Sequence, residues 1–300
     1  MESSAPHRAG FINIIGRPNV GKSTLMNALV GEHLSVISPK AQTTRHRILG
    51  LVNGDDYQLV FSDTPGIIHE PKYALHKAMN EFVKISLEDA DVLLFITEIY
   101  EHPKDLADVL AALQGVTARK LLLLNKVDQA KGDRVAELTE AWKDTGLFED
   151  IIPISAQENL GLDVVIAKIV ENLPESPPYY AKDELTDKPE RFFVSEIIRG
   201  KIFTTYSKEI PYCTEVIIES FKDEPDITRI SAVIFVERNS QKPIVIGKGG
   251  DKLKKVGTES RLEMEAFLGR KVFLELFVKV KENWRNDPRL LKSLGYDQSK

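Results

Sequence analysis

Gly16-Arg17-Pro18-Asn19-Val20-Gly21-Lys22-Ser23 lies between an apolar run, Phe11-Ile12-Asn13-Ile14-Ile15, and a helix-forming run, Thr24-Leu25-Met26-Asn27-Ala28-Leu29. Strand, glycine-rich loop and helix in that order make a phosphate cradle. The spacing G-x-x-x-x-G-K-S lets backbone N–H groups converge on phosphate oxygens. It also sets the Lys22 ammonium against the outer phosphates and offers the Ser23 hydroxyl to Mg²⁺. The partial positive charge at the start of the helix adds to the attraction. A glycine turn with no ligand would fit these eight residues taken alone; the strand ends that follow argue against it.

Downstream, the polar stretch from Ser35 to Arg47 reads as a loop before a strand at Ile48 to Val52. A threonine in it, Thr44 ahead of Thr43, would complete the Mg²⁺ shell and sense a γ-phosphate; a loop with no ligand is the other reading. The strand Tyr57 to Ser62 ends in Asp63-Thr64-Pro65-Gly66. A carboxylate there lies on the ligand-binding rim of an open α/β sheet, so Asp63 is expected to hold Mg²⁺ through water and the Gly66 N–H to meet the γ-phosphate. Val92 to Ile96 and Leu121 to Leu124 are continuous apolar runs of the kind buried on both faces of a parallel sheet. The second runs into Asn125-Lys126-Val127-Asp128. An Asp in that place accepts from guanine N1–H and the exocyclic amine together, a pattern adenine lacks. Asn125 either supports the loop or touches the base, and the Lys126 stem covers the ring. The strand Ile151 to Ile154 delivers Ser155-Ala156, where the Ala156 N–H is expected to meet the guanine oxygen. A helix from Leu162 to Leu173 closes this part.

These motifs, in this order at the ends of expected strands, resemble the translation-factor-like branch of P-loop GTPases. The stretch Gln42-Thr43-Thr44-Arg45-His46-Arg47, with Asp63-Thr64-Pro65-Gly66-Ile67, is similar to the Era family. The resemblance implies hydrolysis of GTP to GDP with Mg²⁺. It carries nucleotide-binding roles onto Gly16, Arg17, Pro18, Asn19, Val20, Gly21, Lys22, Ser23, Thr24, Asp63, Thr64, Pro65, Gly66, Ile67, Asn125, Lys126, Val127, Asp128, Ser155 and Ala156. Ser23, Thr44 and Asp63 fall to the metal, and Lys22, Thr44 and Gly66 to the hydrolytic step. Ile67 stands where Ras-like enzymes carry a water-orienting glutamine, and neither it nor Ile68 can hold a water, so slow intrinsic turnover is expected. Asn19 either shapes the loop or holds a K⁺ in place of an arginine finger. His69, His76 and His102 are read as exposed or structural.

Three hundred residues suggest two domains of roughly 150 each. The overall charge of −5 divides into −10 over residues 1–190 and +5 over residues 191–300. Leu173 to Tyr180 holds three prolines, which favour an extended spacer. Domains are therefore expected at 9–173 and 191–300, with a disordered start over 1–8 and a linker over 174–190. The single cysteine, Cys213, allows no internal disulfide and reads as a core residue at the start of a strand. No apolar run approaches the ~20 residues of a membrane span, and no secretory h-region opens the chain. A cytoplasmic protein is expected.

Beyond the linker, a helix over Arg191 to Phe203 precedes two alternating strands, Thr214 to Phe221 and Ile230 to Val236, expected to pair antiparallel. Then come Gly247-Lys248-Gly249-Gly250 and Asp251-Lys252-Leu253-Lys254-Lys255, a helix, and the alternating strand Val272 to Val280. That order matches a type II KH domain, in which glycines let a nucleic-acid strand approach the backbone while lysines hold phosphates. RNA contact is assigned to Gly247, Lys248, Gly249, Gly250, Lys252, Lys254 and Lys255; a lysine-rich exposed helix start is the plainer alternative. Gly200 stands where a helix former is expected and puts the continuity of its helix in question.

The expected fold is thus an α/β P-loop GTPase domain, a mostly parallel six-stranded sheet with helices on both faces, followed by an α+β KH domain of type II. The joint presence of both strengthens the resemblance to the Era family. It implies binding to the 3′ region of small-subunit (16S) ribosomal RNA and a switch role in small (30S) subunit assembly. In some members it also implies peripheral association with the inner face of the cell membrane. The chain is expected as a monomer. The alternative function is a GTP-sensing RNA chaperone without useful intrinsic turnover.

Overall fold

β1 (Arg8–Ile15) is the strand that feeds the glycine loop, and α1 (Lys22–Val30) leaves it. This computed structural model describes residues 6–38, 40, 42–66, 68 and 70–296. Two units follow from the internal contacts: Met1–Ser35 with Arg47–Ile67 and Glu81–Asp187, and Val36–His46 with Ile68–Asn80 and Lys188–Lys300.

In the first unit β1 is joined by β2 (Ile48–Asn53), β3 (Tyr57–Asp63), β4 (Val92–Glu98), β5 (Arg119–Asn125) and β6 (Asp150–Pro153). The order is β2-β3-β1-β4-β5-β6. β2 runs antiparallel to β3 and the other neighbours pair parallel. From β1 the chain goes outward to β3 and then crosses to β4, so the end of β1 lies where the strand order diverges, the usual ligand crevice of such sheets. β4 and β5 are apolar because both faces are covered. Between the first unit's strands run α2 (Ala74–Asp89), whose first half up to Asn80 clusters with the second unit, α3 (Ala107–Gln114), α4 (Arg134–Lys143) and α5 (Leu162–Asn172). Leu93, Phe95, Leu122 and Leu124 pack with Leu106, Leu113, Leu138 and Trp142 in one cluster. α1 buries Leu25 and Met26 completely.

The proline-rich stretch, expected to be a spacer, is tied to the first unit. Gln58 Oε1 accepts from the amides of Tyr179 (2.7 Å) and Tyr180 (3.0 Å), and its Nε2 donates to the Tyr180 carbonyl (2.9 Å). Further on, the Leu51 amide donates to Leu185 O (2.9 Å), and Gly50 and Thr186 form an isolated bridge. β2 is the edge strand, and this strap covers backbone groups that would otherwise stay open to pairing.

The second unit contains α6 (Glu190–Thr205), α7 (Ile210–Cys213), β7 (Glu215–Asp223), β8 (Thr228–Val236), α8 (Gln241–Ile246), α9 (Asp251–Leu268), β9 (Val272–Val280) and α10 (Pro288–Ser293). β8 is central, antiparallel to β7 and parallel to β9. One core joins Val194, Ile198 and Ile202 of α6 and Val256 and Met264 of α9 to the inward residues of the three strands. Cys213 is buried as expected, though it ends a helical turn and does not open the strand, which starts at Glu215. The doubt about Gly200 is resolved: α6 is unbroken. Space calls for glycine there, since a Cβ would lie 2.9 Å from Val36 Cγ1.

Candidate functional site

The glycines of the first loop are dictated by crowding. A Cβ on Gly16 would stand 2.3 Å from the Ile96 carbonyl oxygen, and one on Gly21 would stand 2.4 Å from Asn125 Nδ2. Gly21 and Asn19 are left-handed, with φ of 108° and 67°. Val20 is buried, whereas Arg17, Pro18 and Asn19 are exposed and Thr24 is half-buried. Lys22 Nζ donates to the carbonyls of Gly16 and Arg17, 2.9 Å each. Burial lowers its pKa, while Asp63 and then Glu101 oppose the shift. Arg17 faces Glu101 at 3.6 Å and donates to Asp105 O at 2.9 Å.

The start of α1 and the end of β3 bring Ser23 and Asp63 together, Oγ donating to Oδ2 at 3.0 Å. Asp63, Thr64 and Pro65 are buried and Gly66 is half-buried. A hydroxyl and a carboxylate are hard oxygen donors, and Mg²⁺ commonly takes one or two protein oxygens and fills its octahedron with phosphate oxygens and water. The residues therefore fit the ion. Among the described residues no cluster of three or more His, Cys, Asp or Glu competes for it.

Asn125 settles between its two expected roles. Its Nδ2 donates to Val20 O at 2.8 Å, and its Oδ1 accepts from the Ala156 amide at 3.0 Å. Asn125 thus supports the loop, and the Ala156 N–H, expected at the guanine oxygen, donates here to Asn125. Ser155 Oγ accepts from the Glu158 amide at 3.3 Å, which closes the same turn. Lys126, with φ 65°, reaches Asn19 O at 3.1 Å and pairs with Glu98. The Val127 amide donates to Ile154 O at 3.2 Å, and Asp128 follows it exposed. Phosphate loop, base loop and Ser155-Ala156 turn are thus one connected piece.

Thr43 and Thr44 belong to the segment Val36–His46 that clusters with the second unit. The Thr43 hydroxyl donates to Lys40 O at 2.7 Å, and its side chain is buried. Ile67 and His69 lie outside the described residues. Ile68 is gripped by Asn80, amide to Oδ1 at 2.9 Å and carbonyl to Nδ2 at 2.8 Å. His76 and His102 are structural, their Nδ1 atoms accepting from the amides of Lys72 and Lys104. Sequence reasoning missed Glu98, Asn80 and Glu101, whose partners are loop groups distant in the chain.

In the second unit Gly247-Lys248-Gly249-Gly250 turns the chain between α8 and α9. Gly249 and Gly250 have φ of 62° and 84°, and a Cβ on either would meet nothing within 4 Å. Lys248, Lys252, Lys254 and Lys255 are all exposed. Lys255 lies 3.8 Å from Glu259, and Lys252 lies over the Tyr206 ring at 5.8 Å. Beside the turn, Gly250, Leu253, Lys254, Gly257, Leu274 and Leu276 line a groove of about 390 Å³. An apolar floor with a basic rim suits bases and phosphates of a single strand.

Sheet, loop and brace define a P-loop nucleotide-binding unit, and the turn with its groove defines a KH unit. Family models agree: residues 11–126 match the "50S ribosome-binding GTPase" model and residues 209–285 the "KH domain" model. GTPase Era of Geobacter metallireducens is 46% identical over 98% of this chain and 99% of its own. A solved structure of Era with MgGDPNP and nucleotides 1506–1542 of 16S ribosomal RNA superposes with a TM-score of 0.90 at 39% identity, covering 97% of this chain and 99% of that one. An Aquifex aeolicus Era variant bound to GDP·AlF₄⁻ gives the same score and identity over 96% and 99%. The chain belongs to the Era family of GTPases.

Proposed function

We propose that this GTPase holds a guanine nucleotide between the Gly16 to Thr24 loop and Asp128, and hydrolyses GTP with Mg²⁺ at Ser23, Asp63 and Thr44. We assign it the 3′ region of small-subunit ribosomal RNA through Gly247 to Gly250 with Lys252, Lys254 and Lys255, as a switch in small-subunit assembly. The observation that carries the nucleotide reading is the Asn125 brace, which locks the phosphate end and the base end of one site together. The RNA reading is supported by the open glycine turn and its basic groove, and by the 16S fragment held by the solved relative. When bound, Mg²⁺ supplies neutralisation of phosphate charge. Lys22 adds a cation at the outer phosphates, and Gly66 an amide at the γ-phosphate. Thr44 is preferred to Thr43 as the metal ligand because the Thr43 side chain is buried while Thr44 is half-buried.

Asp128→Asn tests the base assignment. It should move preference from GTP toward XTP by roughly a hundredfold in competition binding; retained GTP preference defeats it.

The second reading, a nucleotide-sensing chaperone with little turnover, is favoured by Ile67 and by the grip on Ile68, neither of which orients water. Steady-state turnover with and without the 16S fragment separates the two. Asn19, exposed and left-handed, is the proposed K⁺ group, and equal rates in KCl and NaCl at one ionic strength remove it. We take 9–173 as the GTPase domain, 174–190 as linker and 191–300 as the KH domain, in a monomer working in the cytoplasm. Among the described residues no helix is long and apolar enough to cross a membrane; flotation with anionic vesicles tests peripheral association.

A further inference from the structure

The segment that carries Thr43 and Thr44 is anchored on both sides of them by groups of the second unit. On the near side, Lys40 Nζ donates to the carbonyls of Phe203 and Tyr206, at the C-terminal end of α6. Phe203 O is among the last carbonyls of α6, at the negative end of the helix dipole, and Tyr206 O follows just beyond it, so an ammonium suits the pair. Val36 lies against Gly200, where only a missing side chain leaves room.

Beyond the threonines, Arg45 is 3% exposed and spends its guanidinium on three acceptors. Nη1 donates to Thr214 O at 2.7 Å and Glu215 Oε2 at 2.9 Å, and Nη2 donates to Pro211 O at 3.0 Å. The rings of Phe203 and Trp284 lie 5.9 Å from its central carbon. Glu215 Oε2 also accepts from Tyr296 OH at 2.8 Å, and the Tyr296 ring stacks on His46 at 4.2 Å.

Thr44 is one peptide, about 3.8 Å from Cα to Cα, from a residue that cannot shift without stranding a buried charge. We infer that Arg45 is a positioning residue for GTP hydrolysis: clamped by Glu215 and the carbonyls of Pro211 and Thr214, it fixes Thr44. This rests on the reading of Thr44 as a metal ligand. It makes Arg45, Glu215 and Lys40 part of the switch although none of them touches nucleotide. A lysine cannot replace the fork, because an ammonium lacks the fixed planar donor set that serves three acceptors at once.

Single-turnover hydrolysis of GTP by the full chain, titrated with Mg²⁺, tests it, with Thr44→Ala setting the scale. Arg45→Lys and Glu215→Ala should slow hydrolysis by about tenfold or more, since small misplacements of reacting groups have large kinetic effects. They should also raise the Mg²⁺ needed with GTP while leaving GDP affinity unchanged. Glu215→Gln, which keeps the acceptor, should fall between them and the parent. Combined with Thr44→Ala, Arg45→Lys should add nothing further. Should Arg45→Lys fail to fold, Gly200→Ala disturbs the same segment through Val36 while favouring the helix, and must show the same GTP-specific Mg²⁺ effect. Unchanged rates and Mg²⁺ dependence in the variants, or equal loss of GTP and GDP binding, overturn the inference. A parent chain without turnover overturns instead the functional reading beneath it.

Discussion

Each unit of this chain is built around a glycine turn that leads into a helix, and the two turns differ at the glycines next to that helix, although Gly247, which opens the second turn, is crowded as well, a Cβ there standing 2.0 Å from Asp251 Oδ1. At Gly16 and Gly21 a methyl group would collide with protein, a carbonyl oxygen in one case and the Asn125 amide in the other. At Gly249 and Gly250 nothing is near enough to collide, and it is the left-handed backbone that calls for glycine. The first loop is therefore held from behind by Ile96 and Asn125. The second stands open, so that a long chain can pass close to its backbone. A concave, braced site suits a small ligand bound with defined geometry; an exposed basic turn suits a polymer whose next residue is always near.

If the first loop is a rigid electrostatic cradle, its cation should matter more than any group at the second. Lys22→Met is expected to lower the GTP hydrolysis rate by about a hundredfold or more, the scale for losing one preorganised charge donor, with RNA affinity unaltered. Pre-steady-state hydrolysis beside filter binding of a 16S 3′ fragment checks both halves. A variant that turns over GTP within a factor of a few of the parent would remove the contrast.

Each unit also buries a base beside carboxylates that only partly oppose the effect of burial. Lys22 has Asp63 and Glu101 to oppose the effect of burial. For His46 burial dominates over Glu196 and Glu215, and its pKa is pushed down to about 4. An unfolded histidine titrates near 6.5, so the native state prefers the neutral ring. The stability this preference contributes is complete above about pH 6.5 and is lost as pH falls toward 4. Between pH 7 and pH 5 that amounts to about 2 kcal/mol. His46→Gln should accordingly destabilise the chain at pH 7, through lost stacking on Tyr296, and by progressively less as pH falls. Urea unfolding of parent and variant at pH 7, 6 and 5 measures the narrowing gap; a constant gap would show that His46 is not kept neutral.

Much of the nucleotide site is legible in the chain because the chemistry is local there: eight consecutive residues make the cradle, and each further motif marks the end of an apolar strand. What is illegible has a common cause. Lys40 and Arg45 are held chiefly by the carbonyls of Phe203, Tyr206, Pro211 and Thr214, and a backbone acceptor leaves no mark on residue identity. Gly200 reads as a weak point in a helix while its partner, Val36, is unknown; beside Val36 it is a fitted surface. Asn125 stays ambiguous until Val20 and Ala156 occupy its amide group. The short helices α3 and α4 lie in stretches with no motif to draw attention to them, and Pro211 in the first turn of α7 places Cys213 in a helix ahead of the strand it was expected to open.

At the open turn the effects should be smaller and should fall on RNA alone. Gly249→Asp keeps a residue type that tolerates the left-handed region and has free space around it, so the fold should survive. Its carboxylate would stand in the path of phosphate, and like-charge opposition should weaken binding of the 16S fragment by about tenfold to a hundredfold, with GTP affinity unchanged. Equal binding by variant and parent would take the turn out of the interface.

The smallest expected effect is also the most diagnostic of how the second site works. Lys254 is exposed on the rim of the groove whose floor is Leu274 and Leu276. If it neutralises one phosphate of a single strand, Lys254→Gln should weaken binding only a few-fold at moderate salt. It should also reduce the magnitude of the slope of log K against log salt by about 0.7. A residue that merely packs against the strand would lower affinity without changing the slope. The slope thus separates an electrostatic rim around an apolar floor from a wholly apolar groove. Only the former fits a stretch of chain that carries a net +5 over residues 191–300. An unchanged slope would place the phosphate contacts on Lys248, Lys252 or Lys255, and the same measurement on each of those would find them.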